Sequence, residues 1–360
     1  MSLWSKHRYI LNGGGILVST KAFYRAGRAH WGRAARDVFL GNIALKLRLR
    51  CSCGNHNEPF GTDIAARPVV FVYRAGHSAL GSIDIRVRHL GSALKIVSSP
   101  DSSVRAITEE ALASNPPVDS DVILSKTVLS GSNRALVERL GSAGNRIWSD
   151  FVDGSETDLF ESQLTGYLCS SKSEYQYRFD RGLSAHYLPQ QVDARWPDQS
   201  FEKDEFRTIY VGGTGGCKYL DRLPEIEKFF VNSLENRSVF ARTVGSVASA
   251  SHHFSVRAFP GEGVFKPETK AMVAARLGSV FIGSREDIET SLVLSADYPY
   301  LAADSSEEAV REVLDFAHQS FQGDPWERAT VEMDELKTTV CDIGVGISLL
   351  DWFRRDHDVP

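Results

Sequence analysis

The segment HFSVRAFPGEGVFKPETKAMVAARLGSVFIGSRED, residues 253–287, decides the predicted fold. Its pattern predicts a strand in FSVRAF, a glycine-containing loop, a helix between Pro267 and Gly278, and a second strand in SVFIG. Proline is favoured at the start of a helix and glycine just after its last turn. A strand, a helix and a strand in this order are typical of a parallel sheet covered by helices.

The amino end of this helix is a candidate anion site. Its interior is apolar nearly all round, so we expect neighbouring elements to cover both sides. The first turn of a helix carries unpaired N–H groups and a partial positive charge. Lys266, Thr269 and Lys270 lie beside that turn, and Arg257 lies in the preceding predicted strand. The pattern therefore favours a bound phosphate, with an ordinary surface helix as the alternative.

Composition limits the class of protein. The 360 residues suit two domains of about 150 to 180 residues each. The net charge of -5, with both signs interspersed, argues against a general nucleic-acid-binding surface. Five scattered cysteines indicate a reducing compartment. We see no apolar run of the roughly 18 residues that a membrane span needs and no signal-peptide core, so the expected location is cytoplasmic.

Basic and aromatic side chains are interleaved near the N-terminus. Such a segment could contact an anionic membrane surface or an anionic acceptor, and a solvated helical face is the alternative. We therefore expect a protein that is peripheral, at most, to the inner face of a membrane. The side chains are Lys21, Phe23, Tyr24, Arg25, Arg28, Trp31, Arg33, Arg36, Phe39, Lys46, Arg48 and Arg50.

Short apolar runs alternate with helical stretches along most of the chain. In the first half we predict strands at 8–13, 68–73, 93–99, 121–125, 146–151, 166–171 and 185–189, and helices at 133–140 and 172–181. In the second half we predict strands at 207–212 and 239–243 and helices at 224–232, 305–319 and 333–355.

The polar segment 192–206 has no apolar period and is the predicted linker. The expected organisation is an N-terminal domain at 1–191, a second domain at 207–332, and a C-terminal helical segment, 333–360, that could pack back on the first domain.

Four glycines follow the first strand of the second half. Gly212, Gly213, Gly215 and Gly216, with Thr214 between them, would let backbone N–H groups approach a ligand, although a plain tight turn is equally compatible. The spacing matches neither the GxGxxG fingerprint nor a Walker loop, which disfavours hydride and phosphoryl transfer.

Three segments together resemble one family. They are CSSKSEYQYRFDRGLSAHYLPQQVD at 169–193, IYVGGTGG at 209–216 and KPETKAMVAARLGSVFIGSRED at 266–287. Their order resembles the glycosyltransferases of the two-domain GT-B fold over residues 120–310, and Lys270 and Gly278 match a lysine that many members carry eight residues before a glycine. The resemblance implies an α/β fold with two Rossmann-like parallel-sheet domains facing across a cleft.

The resemblance also implies a function. The second domain would bind a nucleotide diphosphate-sugar and the first an acceptor hydroxyl of a cell-surface glycan, a polysaccharide or a lipid-linked sugar. We expect neither a cofactor nor a metal, because cations and a helix dipole can stabilise the departing diphosphate. The alternatives are a nucleotide-sugar epimerase of the same fold and a catalytically silent relative that binds nucleotide sugar or glycan. The expected donor-binding residues are Gly213, Thr214, Gly215, Gly216, Arg257, Lys266, Glu268, Thr269, Lys270 and Arg285.

Other assignments stay open at this point. Lys270 stands where many retaining members have a second glutamate, at a fixed distance after Glu262, so the stereochemistry is undetermined. An inverting enzyme would need a general base from the first domain, and His77, Asp150 and Asp153 are candidates because each follows a predicted strand. Turn-capping carboxylates and a solvated histidine are the alternatives.

Overall fold

The computed structural model of the protein describes residues 67–77, 81–98, 103–129, 134–153, 163–193, 196–197, 201–213, 215–230, 237–257 and 264–355. The strand expected at 8–13, the basic aromatic segment, Thr214 and Glu262 lie outside these residues.

The first half of the described chain folds around a parallel sheet of six strands. The strand order is β2-β1-β3-β4-β5-β6, so the chain runs outward in both directions from β1 and β3. Four of the strands consist largely of buried residues, as expected for a sheet covered on both faces. The strands are β1 Val69–Tyr73, β2 Val104–Thr108, β3 Asp121–Ser125, β4 Arg146–Asp150, β5 Gly166–Cys169 and β6 Ala185–Tyr187.

The second half folds around a parallel sheet of five strands in the order β11-β10-β9-β7-β8. Its strands are β7 Thr208–Gly212, β8 Glu227–Phe230, β9 His252–Phe254, β10 Val280–Ser284 and β11 Leu301–Ala302. Two all-parallel sheets with helical connections confirm the predicted α/β fold class of two Rossmann-like units.

Eleven α-helices in the described ranges connect and cover the sheets. They are α1 Leu90–Val97, α2 Glu109–Ser114, α3 Lys126–Leu129, α4 Arg134–Ser142, α5 Lys172–Asp180, α6 Arg237–Ser249, α7 Thr269–Arg276, α8 Ile288–Val293, α9 Glu307–Gln319, α10 Asp324–Thr339 and α11 Asp342–Arg355. A helical turn, Gly81–Ile83, and a π-helical segment, Asp84–His89, lead directly into α1. None of these helices is long and apolar enough to cross a membrane.

The strand predicted at 93–99 is wrong, because residues 93–97 belong to α1. Leu90, Ala93 and Leu94 are all buried, and this spacing places them on one face of a helix. The run ALKIV carries an apolar signal that fits either a buried strand or a helix, and the packing partner decides between them.

Two further predictions are wrong in the second half, where a predicted helix contains a strand and a predicted strand lies in a helix. The helix predicted at 224–232 is wrong, since this segment contains β8, which pairs in parallel with β7. The strand predicted at 239–243 is wrong as well, because these residues lie within α6. β8 is an edge strand with a charged sequence, EKFF, so its pairing with β7 comes from the sheet and is weakly encoded locally.

The last helix of the chain packs on the first sheet. α11 contacts α1 along its length, and the rings of Trp352 and Trp148 lie 5.7 Å apart at their centroids. His186 of β6 stacks on Trp352 at 4.8 Å, and Gly346 fits against the Ala93 carbonyl, which a Cβ would meet at 2.7 Å. The C-terminal segment therefore completes the core that surrounds the first sheet.

Candidate functional site

A cleft of ≈ 250 Å³ lies where the two sheet units meet. Its lining comes from the π-helical segment of the first unit, from the linker, from the ends of β7 and β9, and from the first two turns of α7. The lining residues are Ile85, Asp193, Trp196, Val211, Gly212, His253, Phe254, Thr269, Lys270 and Val273. Open parallel sheets bind ligands at the carboxyl ends of their strands, which is where Gly212 and Phe254 stand.

The glycine turn after β7 is shaped by Tyr210. The Tyr210 hydroxyl donates to the carbonyl oxygen of Gly213 at 2.7 Å, and Gly216 N–H donates to the same oxygen at 3.2 Å. A Cβ at Gly212 or Gly216 would lie 2.7 or 2.8 Å from the tyrosine hydroxyl, so only glycine fits at either position as the turn stands. At Gly213 and Gly215 a Cβ would meet nothing within 4 Å. Two of the four glycines are therefore required by this packing.

The predicted helix at 267–278 is α7, which begins at Thr269 and ends at Arg276. Gly278 has a φ of 67°, a conformation that favours glycine, and the N–H groups of Gly278 and Ser279 close the last turn. At the other end no side chain caps the helix. Thr269 N–H donates to the Pro267 carbonyl oxygen at 2.9 Å, so the N–H groups of Lys270 and Ala271 are the first-turn donors left, among the described residues, for another acceptor.

Lys270 lies in this first turn beside the end of β7. Its Cε would be 3.2 Å from a Cβ at Gly212, and its ammonium nitrogen lies 5.5 Å from the centroid of the Tyr210 ring. Among the described residues, no carboxylate forms an ion pair with Lys270. Burial lowers the pKa of Lys270, although the nearby carboxylate of Glu268 opposes this shift. A partly desolvated cation without a carboxylate partner is a suitable contact for an anion.

Arg257 is the centre of a buried ionic cluster behind the first turn. Its guanidinium donates to both carboxylate oxygens of Asp287, at 2.6 and 3.0 Å, and to Glu268 at 2.6 Å. It also donates to the carbonyl oxygens of Lys266 and Pro267 at 3.3 and 3.2 Å. Arg257 therefore holds the chain that enters α7 and is fully engaged by protein groups. This geometry indicates a positioning role for the guanidinium.

Glu268 links this cluster to α8. Its Oε2 accepts from Arg257 and from the Thr290 hydroxyl at 2.7 Å, while Oε1 is buried with no hydrogen-bond partner in the described structure. Burial raises the pKa of Glu268, although Arg257 opposes the shift. Asp287 caps α8 by accepting from the N–H groups of Glu289 and Thr290. The entrance of α7 and the entrance of α8 are thereby tied together.

The remaining expected donor-site residues are dispersed. Thr269 lines the cleft beside Lys270, whereas the side chain of Lys266 is exposed. Arg285 donates to the carbonyl oxygens of Ala296 and Tyr298 at 2.8 and 3.3 Å, so it braces a loop. Asp287 pairs with Arg257 and forms no ion pair with Arg285.

Asp150, one of the three candidate bases, is 2% exposed at the end of β4. Both its oxygens accept from Nε of Arg86, at 3.1 and 3.0 Å, and the same guanidinium donates to the carbonyl oxygens of Leu188 and Pro189. Burial raises the pKa of Asp150, and Arg86 opposes that shift. This carboxylate is engaged inside the first unit and is poorly placed to meet an acceptor.

The other two candidates lie nearer to solvent. His77 is the last residue of a 3-10 turn, Ala75–His77, that follows β1, and its Nδ1 is buried without a partner among the described residues. Asp153 is exposed, has a φ of 55°, and accepts a hydrogen bond from Lys126 through its backbone carbonyl. None of the three lines the cleft, and the assignment of a base stays a prediction.

Three residues of the cleft were not anticipated from sequence. His253 is 3% exposed, and its Nε2 is buried with no partner in the described structure. Asp193 and Trp196 come from the predicted linker, and both are buried. Asp193 is the last residue of the segment 169–193 that resembles the family, whereas no local pattern separates His253 from a histidine that only fills the core.

No protein-family model and no curated protein matches the chain. Among solved structures, the chain is similar to a glycosyltransferase from Rickettsia africae, with 8% identity, 82% of this chain and 100% of that chain covered, and a TM-score of 0.51. It is also similar to Anabaena HepE in complex with UDP and glucose, with 8% identity, 81% of this chain and 100% of that chain covered, and a TM-score of 0.49. The similarity to the GtfA/B complex has 10% identity and a TM-score of 0.44, and it covers 67% of this chain. The chain spans only 58% of the length of that protein.

Sequence identities this low show the fold alone. The two parallel sheets, the cleft between them and the likeness to the Rickettsia africae structure define the two-domain GT-B fold. The fold expected from the sequence is confirmed.

Proposed function

We propose that the protein is a glycosyltransferase that moves a sugar from a nucleotide diphosphate-sugar to an acceptor hydroxyl. One observation carries the proposal. The ammonium group of Lys270 and the uncapped amino end of α7 border the interdomain cleft beside the glycine turn of β7. A cation and unpaired N–H groups at one edge of a cleft are suited to a diphosphate.

The proposed chemistry needs stabilisation of a leaving group. When the bond between the sugar and the diphosphate breaks, negative charge grows on the departing oxygen, and groups fixed beside that oxygen lower the barrier. Lys270 and the first-turn N–H groups of α7 would supply this charge stabilisation without a metal ion. Arg257 would act indirectly, because its hydrogen bonds to Lys266, Pro267 and Glu268 fix the entrance of α7.

The acceptor would enter from the side of the first sheet, where Ile85 reaches the cleft. Of the three candidate bases, His77 has the most suitable surroundings, since it is half-buried and has an unpartnered ring nitrogen in the described structure. A glycan or lipid-linked acceptor, contact with the inner face of a membrane and a role in polysaccharide biosynthesis stay predictions from the sequence. The sequence leaves the stereochemistry undetermined.

The experiment is a panel assay. The protein is incubated with UDP-, GDP-, ADP- and dTDP-sugars, with and without candidate acceptors, and the released nucleoside diphosphate is measured. Acceptor-dependent release that Lys270→Ala abolishes is the expected result. Isomerised sugar on an intact nucleotide would favour an epimerase, and tight binding without turnover would favour a silent nucleotide-sugar-binding relative.

A further inference from the structure

Glu289 makes a contact that crosses from one sheet unit to the other. It lies in the first turn of α8, is 3% exposed, and faces the amino end of α5 in the first unit. Its Oε1 accepts from Lys172 N–H at 2.8 Å, and its Oε2 accepts from Ser173 N–H at 2.9 Å and from the Ser173 hydroxyl at 2.8 Å. The sequence separation is more than one hundred residues.

This carboxylate completes the cap of α5. The Ser171 hydroxyl accepts from Glu174 N–H, which leaves the N–H groups of Lys172 and Ser173 for Glu289. A carboxylate at a helix amino end is favoured by the helix dipole, and its hydrogen bonds are charge-assisted. When the two units are in contact, two first-turn N–H groups of α5 therefore have their acceptor in the other unit.

Other groups join the two units at the same place. The Lys172 ammonium donates to the carbonyl oxygen of Leu292 in α8 at 2.7 Å. The Tyr177 ring of α5 lies 5.1 Å from the Phe265 ring, which precedes α7. The contact is therefore a small, specific interface between α5 and α8.

The first turn of α8 also reaches the anion site. Asp287 pairs with Arg257, and Thr290 donates to Glu268, the residue immediately before α7. A single helical turn thus touches α5 on one side and the entrance of α7 on the other. A shift of this turn would therefore alter its contacts with both α5 and the entrance of α7.

We infer that Glu289 is a positioning residue that holds the two sheet units in the closed arrangement and couples this closure to ligand binding at α7. The coupling to the nucleotide donor rests on the proposed function, whereas the role in closure does not. Breaking the contact favours an open arrangement, in which water satisfies the freed donors of α5. Because coupling between sites is reciprocal, a variant that opens the units also weakens the ligand that binds the closed form.

The test combines two readouts on the full chain. Small-angle X-ray scattering reports the opening of the units without ligand, and calorimetric titration with UDP, GDP, ADP and dTDP, each separately, reports binding. Glu289→Ala is expected to increase the radius of gyration and to weaken the tightest-binding nucleotide by about 5- to 50-fold. Glu308→Ala, which removes an exposed carboxylate of α9, is the matched control and should change neither.

Ser173→Ala covers the case in which Glu289→Ala does not fold. It deletes one hydroxyl donor and keeps both backbone donors, so it is expected to shift both readouts in the same direction by a smaller amount. The readouts of Glu289→Gln should lie between those of the wild-type protein and Glu289→Ala, because one of the two acceptor oxygens becomes an NH2 donor.

The outcomes are distinguishable. If wild-type protein binds a nucleotide while the variants keep its scattering curve and affinity, the inference fails and the proposed function stands. If no nucleotide binds but Glu289→Ala opens the units, the proposed function fails and the role in closure stands. Loss of thermal stability with an unchanged scattering curve would assign Glu289 a purely structural role and overturn the inference.

Discussion

The ammonium nitrogen of Lys270 lies 5.5 Å from the centroid of the Tyr210 ring, over the turn that leaves β7. The ring's negative face holds the cation at the edge of the cleft without neutralising it. Tyr210 itself is fixed by its hydrogen bond to the Gly213 carbonyl. The pair therefore presents a positioned charge to a ligand at the carboxyl end of β7.

Lys270→Ala should weaken nucleoside diphosphate binding by about 1.5 to 3 kcal/mol, as expected for loss of a hydrogen bond from a charged group. Calorimetric titration with the tightest-binding nucleotide measures this loss. Lys266→Ala removes an exposed ammonium group four residues earlier and is the matched control, with a smaller expected effect. Equal affinity for the wild-type protein and Lys270→Ala would remove Lys270 from the site.

Gly216→Ala should destabilise the turn by about 1 to 3 kcal/mol, because the new Cβ would lie 2.8 Å from the Tyr210 hydroxyl and one of them must move. Gly213→Ala is the control, since a Cβ there meets nothing within 4 Å. Urea denaturation measures both changes. The Tyr210→Phe background should make Gly216→Ala nearly neutral, and a full cost in that background would show that the hydroxyl is not the obstacle.

Alanine substitutions at Asp150 and Asp153 should distinguish an effect on stability from an effect on catalysis. Asp150→Ala leaves the Arg86 guanidinium, 2% exposed, without its carboxylate and should cost about 3 to 5 kcal/mol of unfolding free energy. Asp153→Ala changes an exposed side chain and should cost much less, although its φ of 55° adds some strain. Unfolding midpoints and turnover of the folded fraction are compared. An Asp150 variant of normal stability with no turnover would instead support Asp150 as the base.

The entrance and exit of α7 could be predicted because local chemistry sets them. Gly278 takes a positive φ that few other residues tolerate, and Pro267 stands just before the helix. The glycine turn after β7 was recognisable for the same reason. Local signals also placed six strands of the first and second sheets correctly, from β1 to β7, with β2 alone missed among them.

The rest depends on contacts between residues far apart in sequence. Glu289 meets Ser173 only when the two units are assembled, and Arg257 finds Asp287 and Glu268 through the packing of α7 against β10. β8 forms a strand because its backbone pairs in parallel with β7. No periodicity or propensity within a short window contains this information.

Acid should destabilise the second unit through its two buried histidines. Burial lowers the pKa of His252 and of His253 to about 3, so between pH 3 and 6.5 the unfolded chain binds protons that the folded chain does not. Stability then rises with pH across this window, and each histidine contributes up to about 1.4 kcal/mol per pH unit.

Between pH 6.5 and 5, His253→Gln should therefore lose about 1.6 kcal/mol less unfolding free energy than the wild-type protein. Unfolding free energies from urea titrations at the two pH values give this difference. The comparison with the variant is essential, because burial raises the pKa of Glu174 to about 8 and its proton stabilises the fold as pH falls. Parallel pH profiles for the wild-type protein and His253→Gln would mean that the folded and unfolded chains bind the His253 proton equally, and would contradict the prediction.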